Sequence, residues 1–134
     1  MNKIKFVVIL MCAVVLSQCK SDAIYNIKYT DQNNNHYLIT QDTFLYDPIT
    51  AMESSSGVYD GGDPVNKEIP KATFNEVAAL VKAMIDDKNL HSEKRLKGTS
   101  IIVVTQGNLN DKYFIKSNPI RDQLETLLEE IKKP

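Results

Sequence analysis

The sequence predicts an α+β fold in which an antiparallel sheet of about four to five strands carries two amphipathic helices on one face. Three patterns predict it. Apolar and polar residues alternate after residue 23, a β-branched run lies late in the chain, and two segments repeat apolar residues with a helical period. Two helices with one apolar stripe each need a sheet face to cover. The expected order of elements is β-β-(β)-α-β-β-α.

Three short strands are expected first. Aromatic and β-branched residues fall on one side of the segment 24–30, as in a half-buried strand. Residues 31–35, an Asp-Gln-Asn-Asn-Asn run, predict a turn because Asn and Asp side chains bond to their own backbone. The segments 36–41 and 43–46 are then the returning strand and a short third strand, which the following Asp-Pro pair ends.

Residues 47–70 predict a long loop. The segment contains Gly, Pro, Ser, Asp and Asn without periodicity, and loops longer than about 12–15 residues are usually functional or disordered. Tyr59 has glycines nearby on both sides, which suits a contact with a protein partner because tyrosines are enriched at binding hot spots. A Tyr59 side chain that folds back on the sheet and pins the loop is an equal alternative. The candidate partner-binding residues are Gly57, Val58, Tyr59, Asp60, Gly61, Gly62 and Asp63.

Residues 73–89 predict the first helix. Thr73 and Glu76 have the spacing of a capping box, which makes Thr73 the expected N-cap. The apolar residues fall on one wide stripe of the helical wheel. This stripe consists of Phe74, Val77, Ala78, Leu80, Val81, Met84 and Ile85.

The last third of the chain predicts a hairpin and a closing helix. Residues 100–105 are a β-branched run, residues 107–111 a turn and residues 112–116 the returning strand. Four successive apolar residues in the first of these strands indicate burial on both faces or a central place in the sheet. Asn118 and Pro119 predict an N-cap followed by proline at the first helical position. The closing helix has an apolar stripe of Ile120, Leu124, Leu127, Leu128 and Ile131.

The first nineteen residues have the pattern of an export signal. Two lysines precede the apolar run 6–16, whose eleven residues are too few for a spanning helix, which needs about 20. The chain then continues as Leu16-Ser17-Gln18-Cys19. This tetrapeptide resembles the lipobox of bacterial lipoproteins, in which the cysteine is lipidated and becomes the new N-terminus.

The resemblance implies a division of the chain. Residues 1–18 would be a cleaved signal peptide, acylated Cys19 would anchor the protein in a lipid bilayer, and residues 19–23 would tether a single domain of residues 24–134. Lys20 after the cysteine resembles the outer-membrane type of lipoprotein rather than the inner-membrane type. Whether the domain faces the periplasm or the cell surface stays open. The alternative is an ordinary secretory peptide with an incidental cysteine.

Charge and cysteine content exclude some classes of function. Removal of residues 1–18 leaves 14 basic against 17 acidic residues, a net charge near −3. This argues against nucleic acid as a partner, because phosphate binding needs a basic surface. Cys19 is then the only cysteine, so no intrachain disulfide is expected. Lys94, Arg95 and Lys97 form a small basic patch, either a solvated connector or a contact for anionic headgroups or an acidic partner.

No catalytic or metal-binding pattern can be assembled from the sequence. His36 and His91 lack a metal-ligand spacing, and the domain has no thiol to join them. The serine run at 54–56 lacks the elbow between strand and helix that presents a serine nucleophile. Residues 60–64 lack the spacing of a calcium-binding loop. No cofactor is expected.

These patterns predict a non-catalytic protein-binding lipoprotein of the inhibitor or immunity type, with the 47–70 loop as its contact. One alternative is a hydrolase or a small-ligand binder, in which His36 or His91 meets a carboxylate in a sheet cleft. Another alternative is a structural or assembly component of the envelope.

Overall fold

The computed structural model describes residues 23, 24 and 26–134. The leader, Cys19 and Tyr25 lie outside the described residues. Within the described part, the chain forms seven strands, two α-helices and one 3₁₀ helix. In chain order these are β1 (Asn26–Thr30), β2 (His36–Thr40), β3 (Thr43–Asp47), β4 (Val65–Glu68), α1 (Lys71–Asp86), the 3₁₀ helix (Lys88–Leu90), β5 (His91–Ser92), β6 (Ser100–Gln106), β7 (Leu109–Ile115) and α2 (Pro119–Lys132).

The seven strands pair antiparallel in one sheet with the order β4-β3-β2-β1-β6-β7-β5. The α+β class, the antiparallel sheet and the two helices are therefore confirmed. The predicted four to five strands are too few, and the predicted order β-β-(β)-α-β-β-α is wrong because it lacks β4 and β5.

The two unpredicted strands carry almost no local strand signal. β4 is the segment Val-Asn-Lys-Glu, with one apolar residue, at the edge of the sheet beside β3. β5 has two residues and pairs His91 with Ile115 and Ser92 with Phe114 of β7. Each of these strands forms because it pairs with a strand that lies far away in the sequence. A short segment of sequence read alone does not contain that partner. The connection between β3 and β4 is accordingly shorter than predicted and spans residues 48–64.

Both helices pack against the same face of the sheet. Ile27 of β1 pairs with Ile39 of β2 and with Val104 of β6, which aligns these side chains on one face. That face and the apolar stripes of α1 and α2 form one buried core. The core includes Ile27, Tyr29, Tyr37, Ile39, Phe44, Tyr46, Ile102, Val104 and Ile115 from the sheet, Phe74, Val77, Val81 and Met84 from α1, and Leu124, Leu128 and Ile131 from α2.

Helix α1 begins earlier than predicted. Its N-cap is Pro70, whose carbonyl oxygen accepts hydrogen bonds from the backbone N–H groups of Thr73 and Phe74, and no side chain caps the helix. The capping box predicted at Thr73 is therefore wrong. Pro70 already holds φ at −62°, and the Lys-Ala pair that follows favours helix, so the first turn forms before Thr73. Helix α1 ends at Asp86 rather than near Asn89.

Helix α2 begins as predicted. Asn118 Oδ1 accepts hydrogen bonds from the backbone N–H groups of Ile120 (2.9 Å) and Arg121 (3.0 Å), and Pro119 takes the first helical position. These bonds satisfy donors that a helix start otherwise leaves unpaired. The N-cap predicted at Asn118 is confirmed. No helix in the described part of the chain is both long and apolar enough to cross a bilayer.

The two ends of the sheet differ in what they carry. Strand β1 begins at Asn26 beside the β6–β7 turn, and we name this the entry end. The opposite end, the distal end, holds the β1–β2 turn (31–35), the β3–β4 loop (48–64) and the β5–β6 connection (93–99). An anchor that precedes β1 would join the domain at the entry end.

Candidate functional site

One buried amide attaches the β3–β4 loop to the β1–β2 turn at the distal end of the sheet. Asn35, only 2% exposed, lies at the end of the β1–β2 turn. Its Nδ2 donates hydrogen bonds to Asp31 Oδ2 (2.7 Å) and to the Tyr59 hydroxyl (2.8 Å), and its Oδ1 accepts one from Ile49 N (3.2 Å). Both N–H groups of this amide are therefore used, and two of its partners belong to the loop.

A second set of bonds joins the loop to β3 and closes the base of the loop. The Tyr46 hydroxyl donates to Gly61 O (2.6 Å), and Gly61 N donates to Ile49 O (3.1 Å). A Cβ atom on Gly61 would lie 2.2 Å from Asn35 Oδ1 and 2.6 Å from Pro48 Cβ, so only glycine fits this close approach. Burial raises the pKa of Tyr46 to about 12, so its hydroxyl keeps the proton that it donates.

Short-range bonds order the outer part of the loop. Ser56 Oγ accepts hydrogen bonds from Val58 N (3.3 Å) and Tyr59 N (3.2 Å). The Glu53 carboxylate accepts from Thr50 N and Thr50 Oγ1 (2.9 Å each), and these bonds hold the pKa of Glu53 below its usual range. The loop is thus a compact, self-bonded segment of the kind that frequently carries function.

Two large apolar side chains project from this ordered loop. Met52 is 97% exposed and Val58 is 81% exposed. Tyr59, by contrast, is half-buried and folds back, because its hydroxyl is bonded to Asn35. Of the predicted contact residues, Val58 therefore offers apolar surface, while Tyr59 and Gly61 hold the loop in place. Met52 lies before the predicted contact segment and was missed because nothing in its local sequence shows that its side chain projects into solvent.

The predicted basic patch lies at the same end of the sheet. Lys94, Arg95 and Lys97 are exposed in the β5–β6 connection. The Arg95 guanidinium donates to Asn34 Oδ1 and, at 3.4 Å, to the Asp31 carbonyl of the β1–β2 turn. The loop and the patch therefore both contact this turn, although the 28 residues 65–92 lie between the loop and the β5–β6 connection in the sequence.

The sheet face opposite the helices, which we name the open face, carries a mixed row of side chains. One row of cross-strand neighbours crosses β3, β2, β1, β6 and β7 and consists, in that order, of Leu45, Leu38, Lys28, Val103 and Lys112. Alternation along each strand places these residues on the face away from the core. The continuous apolar run of β6 is explained in the same way, because Ile102 and Val104 enter the core while Ile101 and Val103 reach the open face.

A cleft of about 440 Å³ lies on the open face. Four half-buried apolar side chains form its floor, namely Leu38, Leu45, Ile101 and Val103. Polar side chains surround this floor, and they include Lys28, Thr30, His36, Asp47 and Lys112. A mostly apolar lining with a few polar groups is the usual composition of a ligand pocket.

The two histidines have different surroundings. His36 lines the cleft, pairs across the strands with Asp47, and its Nδ1 lies 3.1 Å from Thr30 Oγ1. His91 lies outside this cleft: its Nε2 is 3.0 Å from Met84 O, and its ring packs on Tyr113 with 5.2 Å between centroids. Because a carbonyl oxygen only accepts, His91 Nε2 carries the proton, and this residue joins the end of α1 to β7.

A buried polar network joins the sheet to α2. The Tyr29 hydroxyl lies 2.5 Å from Glu125 Oε1 and 2.8 Å from Ser100 Oγ. A carboxylate can only accept, so Tyr29 donates its single proton to Glu125 and accepts from Ser100. Arg121 joins the network through an ion pair with Glu125, with 3.6 Å between Nε and Oε1, and its guanidinium also donates to Gly98 O (2.7 Å). Ser100 is 0% exposed, which closes its hydroxyl to any substrate in this conformation.

This network predicts a loss of stability in alkali. Burial, followed by the bond to Glu125, raises the pKa of Tyr29 above its ordinary value of 10.0. Above that pH the unfolded chain loses a proton that the folded chain keeps, so the stability present below pH 10 is lost as the pH rises. One such group lowers the free energy of unfolding by about 1.4 kcal/mol per pH unit.

Urea denaturation at about pH 9 to pH 11 measures how the free energy of unfolding changes with pH in the wild type and in Tyr29→Phe. At neutral pH the variant should be less stable by about 1–2 kcal/mol, because Ser100 and Glu125 lose their partner. Between these two pH values its free energy of unfolding should fall less steeply than that of the wild type. Identical pH slopes for the two proteins would contradict the assignment.

The chain matches no protein-family model, and neither curated proteins nor solved structures include a significant match to it. Among residues 23, 24 and 26–134, no three His, Cys, Asp or Glu side chains are grouped as a metal site requires. Two surfaces are candidates for function, the projecting loop and the cleft of the open face.

Proposed function

We propose that this protein is a non-catalytic, protein-binding lipoprotein of a bacterial envelope, of the inhibitor or immunity type, held at the membrane through acylated Cys19. Its β3–β4 loop contacts the partner. The observation that carries the proposal is the exposure of Met52 (97%) and Val58 (81%) on a loop that the bonds of Asn35, Tyr46 and Gly61 hold in one shape. A loop ordered before binding loses less entropy when it binds, so its apolar contacts contribute more to affinity.

The position of the loop supports a role away from the membrane. An anchor at Cys19 reaches the domain at the entry end, whereas the loop lies at the distal end, one strand length away. A strand of five residues such as β1 spans roughly 17 Å. The partner would accordingly be met on the side of the domain that faces away from the bilayer.

The basic patch supports an acidic surface on the partner. Lys94, Arg95 and Lys97 lie at the distal end, where Arg95 is bonded to the β1–β2 turn. Headgroups of the anchoring membrane would instead be nearest the entry end. Opposite charges across an interface raise the rate of encounter more than they raise affinity, so this patch should matter most at low ionic strength.

Substitution of the two projecting side chains tests the proposal. Met52→Ser and Val58→Ser in one tagged full-length protein should reduce the amount of cross-linked partner recovered from envelopes by at least about tenfold, because interface anchors typically contribute more than 1 kcal/mol each. Both side chains are exposed, so the free energy of unfolding should change by less than about 0.5 kcal/mol.

Leu109→Ser is the matched control. Leu109 is 67% exposed at the start of β7, at the entry end, so its loss removes exposed apolar surface far from the loop. Capture should persist in this variant. Equal recovery of the partner by wild type and a folded Met52→Ser/Val58→Ser protein would reject the loop as the contact.

A second function, the binding of a small ligand, is favoured by one specific observation. A binder of this kind needs a cleft in which a histidine meets a carboxylate, and the cross-strand pair His36 and Asp47 lines the cleft of the open face. The apolar floor and the two lysines of that cleft favour a small ligand that is apolar and negatively charged.

A further inference from the structure

The row of side chains across the open face is apolar at one end and basic at the other. Adjacent strands lie about 4.8 Å apart, so the row that begins at Leu45 and ends at Lys112 is roughly 19 Å long. Leu45 and Leu38 form its apolar end on β3 and β2. Lys28 and Lys112 form its basic end, on either side of Val103. A linear ligand with one charged end matches this arrangement.

The charge of the basic end is not neutralised within the described part of the chain. Lys28 makes no ion pair or hydrogen bond there, and Lys112 lies over the Phe114 ring, 5.1 Å from its centroid, without an ion pair. The carboxylate in the cleft belongs to Asp47 on β3, and β2 separates that strand from β1. An anionic group placed over Val103 would have a lysine on each side.

The floor favours an acyl chain over a peptide. Leu45, Leu38, Ile101 and Val103 present no hydrogen-bonding side-chain groups to the cleft, so a peptide lying on them would bury backbone N–H and C=O groups without partners. An acyl chain has no such groups, and each methylene removed from water contributes about 0.8 kcal/mol. A volume of about 440 Å³ lies at the small end of the ligand-pocket range and suits one chain better than the two chains of a phospholipid.

We propose that the open face binds a free fatty acid of medium chain length. Its carboxylate lies between Lys28 and Lys112, and its chain crosses Leu38 and Leu45. This site is separate from the β3–β4 loop, so the protein binds a partner and a fatty acid at different surfaces, and either function stands without the other.

Titration with monomeric dodecanoate tests the site, in the full chain carrying Cys19→Ala and without detergent. Saturable binding is expected, with shifts of the methyl NMR signals of Leu38, Leu45 and Val103. Lys28→Gln/Lys112→Gln should weaken binding about tenfold, because two exposed charge pairs contribute up to about 1 kcal/mol each. Dodecanol should bind the wild type about tenfold more weakly than dodecanoate and should be insensitive to these substitutions.

Lys71→Gln is the control for loss of a lysine elsewhere, because Lys71 is exposed at the start of α1, in the helix layer on the other side of the sheet. It should bind dodecanoate like the wild type. The proposal is overturned if dodecanoate shows no saturable binding, or if Lys71→Gln weakens binding as much as the double variant. Binding to phosphatidylglycerol vesicles without binding of monomeric dodecanoate would also overturn it, since the face would then be a membrane contact.

Discussion

Replacement of Asn35 with alanine is expected to lower the free energy of unfolding by about 3 kcal/mol, a large fraction of the 5–15 kcal/mol typical of a domain. The substitution leaves Ile49 N, the Tyr59 hydroxyl and Asp31 Oδ2 without their partner, and each group left unsatisfied costs about 1–3 kcal/mol where water cannot replace it. Loss of these bonds should also loosen the loop, because two of them join it to the β1–β2 turn, while the Tyr46 bond to Gly61 O still links it to β3.

Chemical denaturation and amide hydrogen exchange measure the two effects separately. Exchange at Ile49 and Gly61 should accelerate in Asn35→Ala, while amides in β6 should follow only the global change in stability. Asn33→Ala is the matched control, since Asn33 is exposed in the same turn and its side chain makes no bond to the loop. Unchanged stability together with unchanged exchange in Asn35→Ala would show that the loop does not depend on this amide.

Replacement of Cys19 with alanine is expected to move the protein from the membrane fraction to the soluble fraction. The lipobox resemblance implies acylation at this sulfur, and more than one acyl chain gives stable anchoring where a single chain binds only marginally. Mass spectrometry of the mature N-terminus should show a lipidated cysteine in the wild type.

Cys12→Ala is the control, because Cys12 lies within the apolar run of the leader and is absent from the processed protein that the resemblance implies. This variant should remain with the membrane. A Cys19→Ala protein that stays in the membrane fraction, or an unmodified cysteine in the wild type, would refute the lipid anchor.

The helices could be predicted because their signals are local. The apolar stripe of α2 repeats within fourteen residues, and its N-cap is the adjacent pair Asn118 and Pro119. The strands β4 and β5 could not be predicted, because a strand of four or two residues is defined by its neighbour in the sheet rather than by its own pattern. The start of α1 was misplaced because the capping-box spacing at Thr73 does not exclude an earlier first turn, and the helix has Pro70 as its N-cap.

The site was predictable only in part. The sequence marks the loop by its length and composition, but the role of Tyr59 depends on Asn35, which lies 24 residues earlier. The apolar floor and the lysines of the cleft were missed, although a sheet cleft with His36 was one alternative, because the alternation in β1, β2 and β3 shows which residues share a face and does not show which face the helices leave uncovered. The cross-strand register shows that Lys28, Leu38 and Leu45 are neighbours on one face of the sheet, which is what locates the cleft.

Photo-cross-linking in intact cells tests the central claim, that the distal loop of a membrane-anchored domain binds a protein. A photoreactive amino acid at position 58 should give a discrete adduct with one envelope protein, and the same amino acid at position 109 should not. The adduct at position 58 should become weaker when Met52→Ser is also present or when Asn35→Ala loosens the loop. No adduct at position 58, or the same adducts at positions 58 and 109, would contradict the claim.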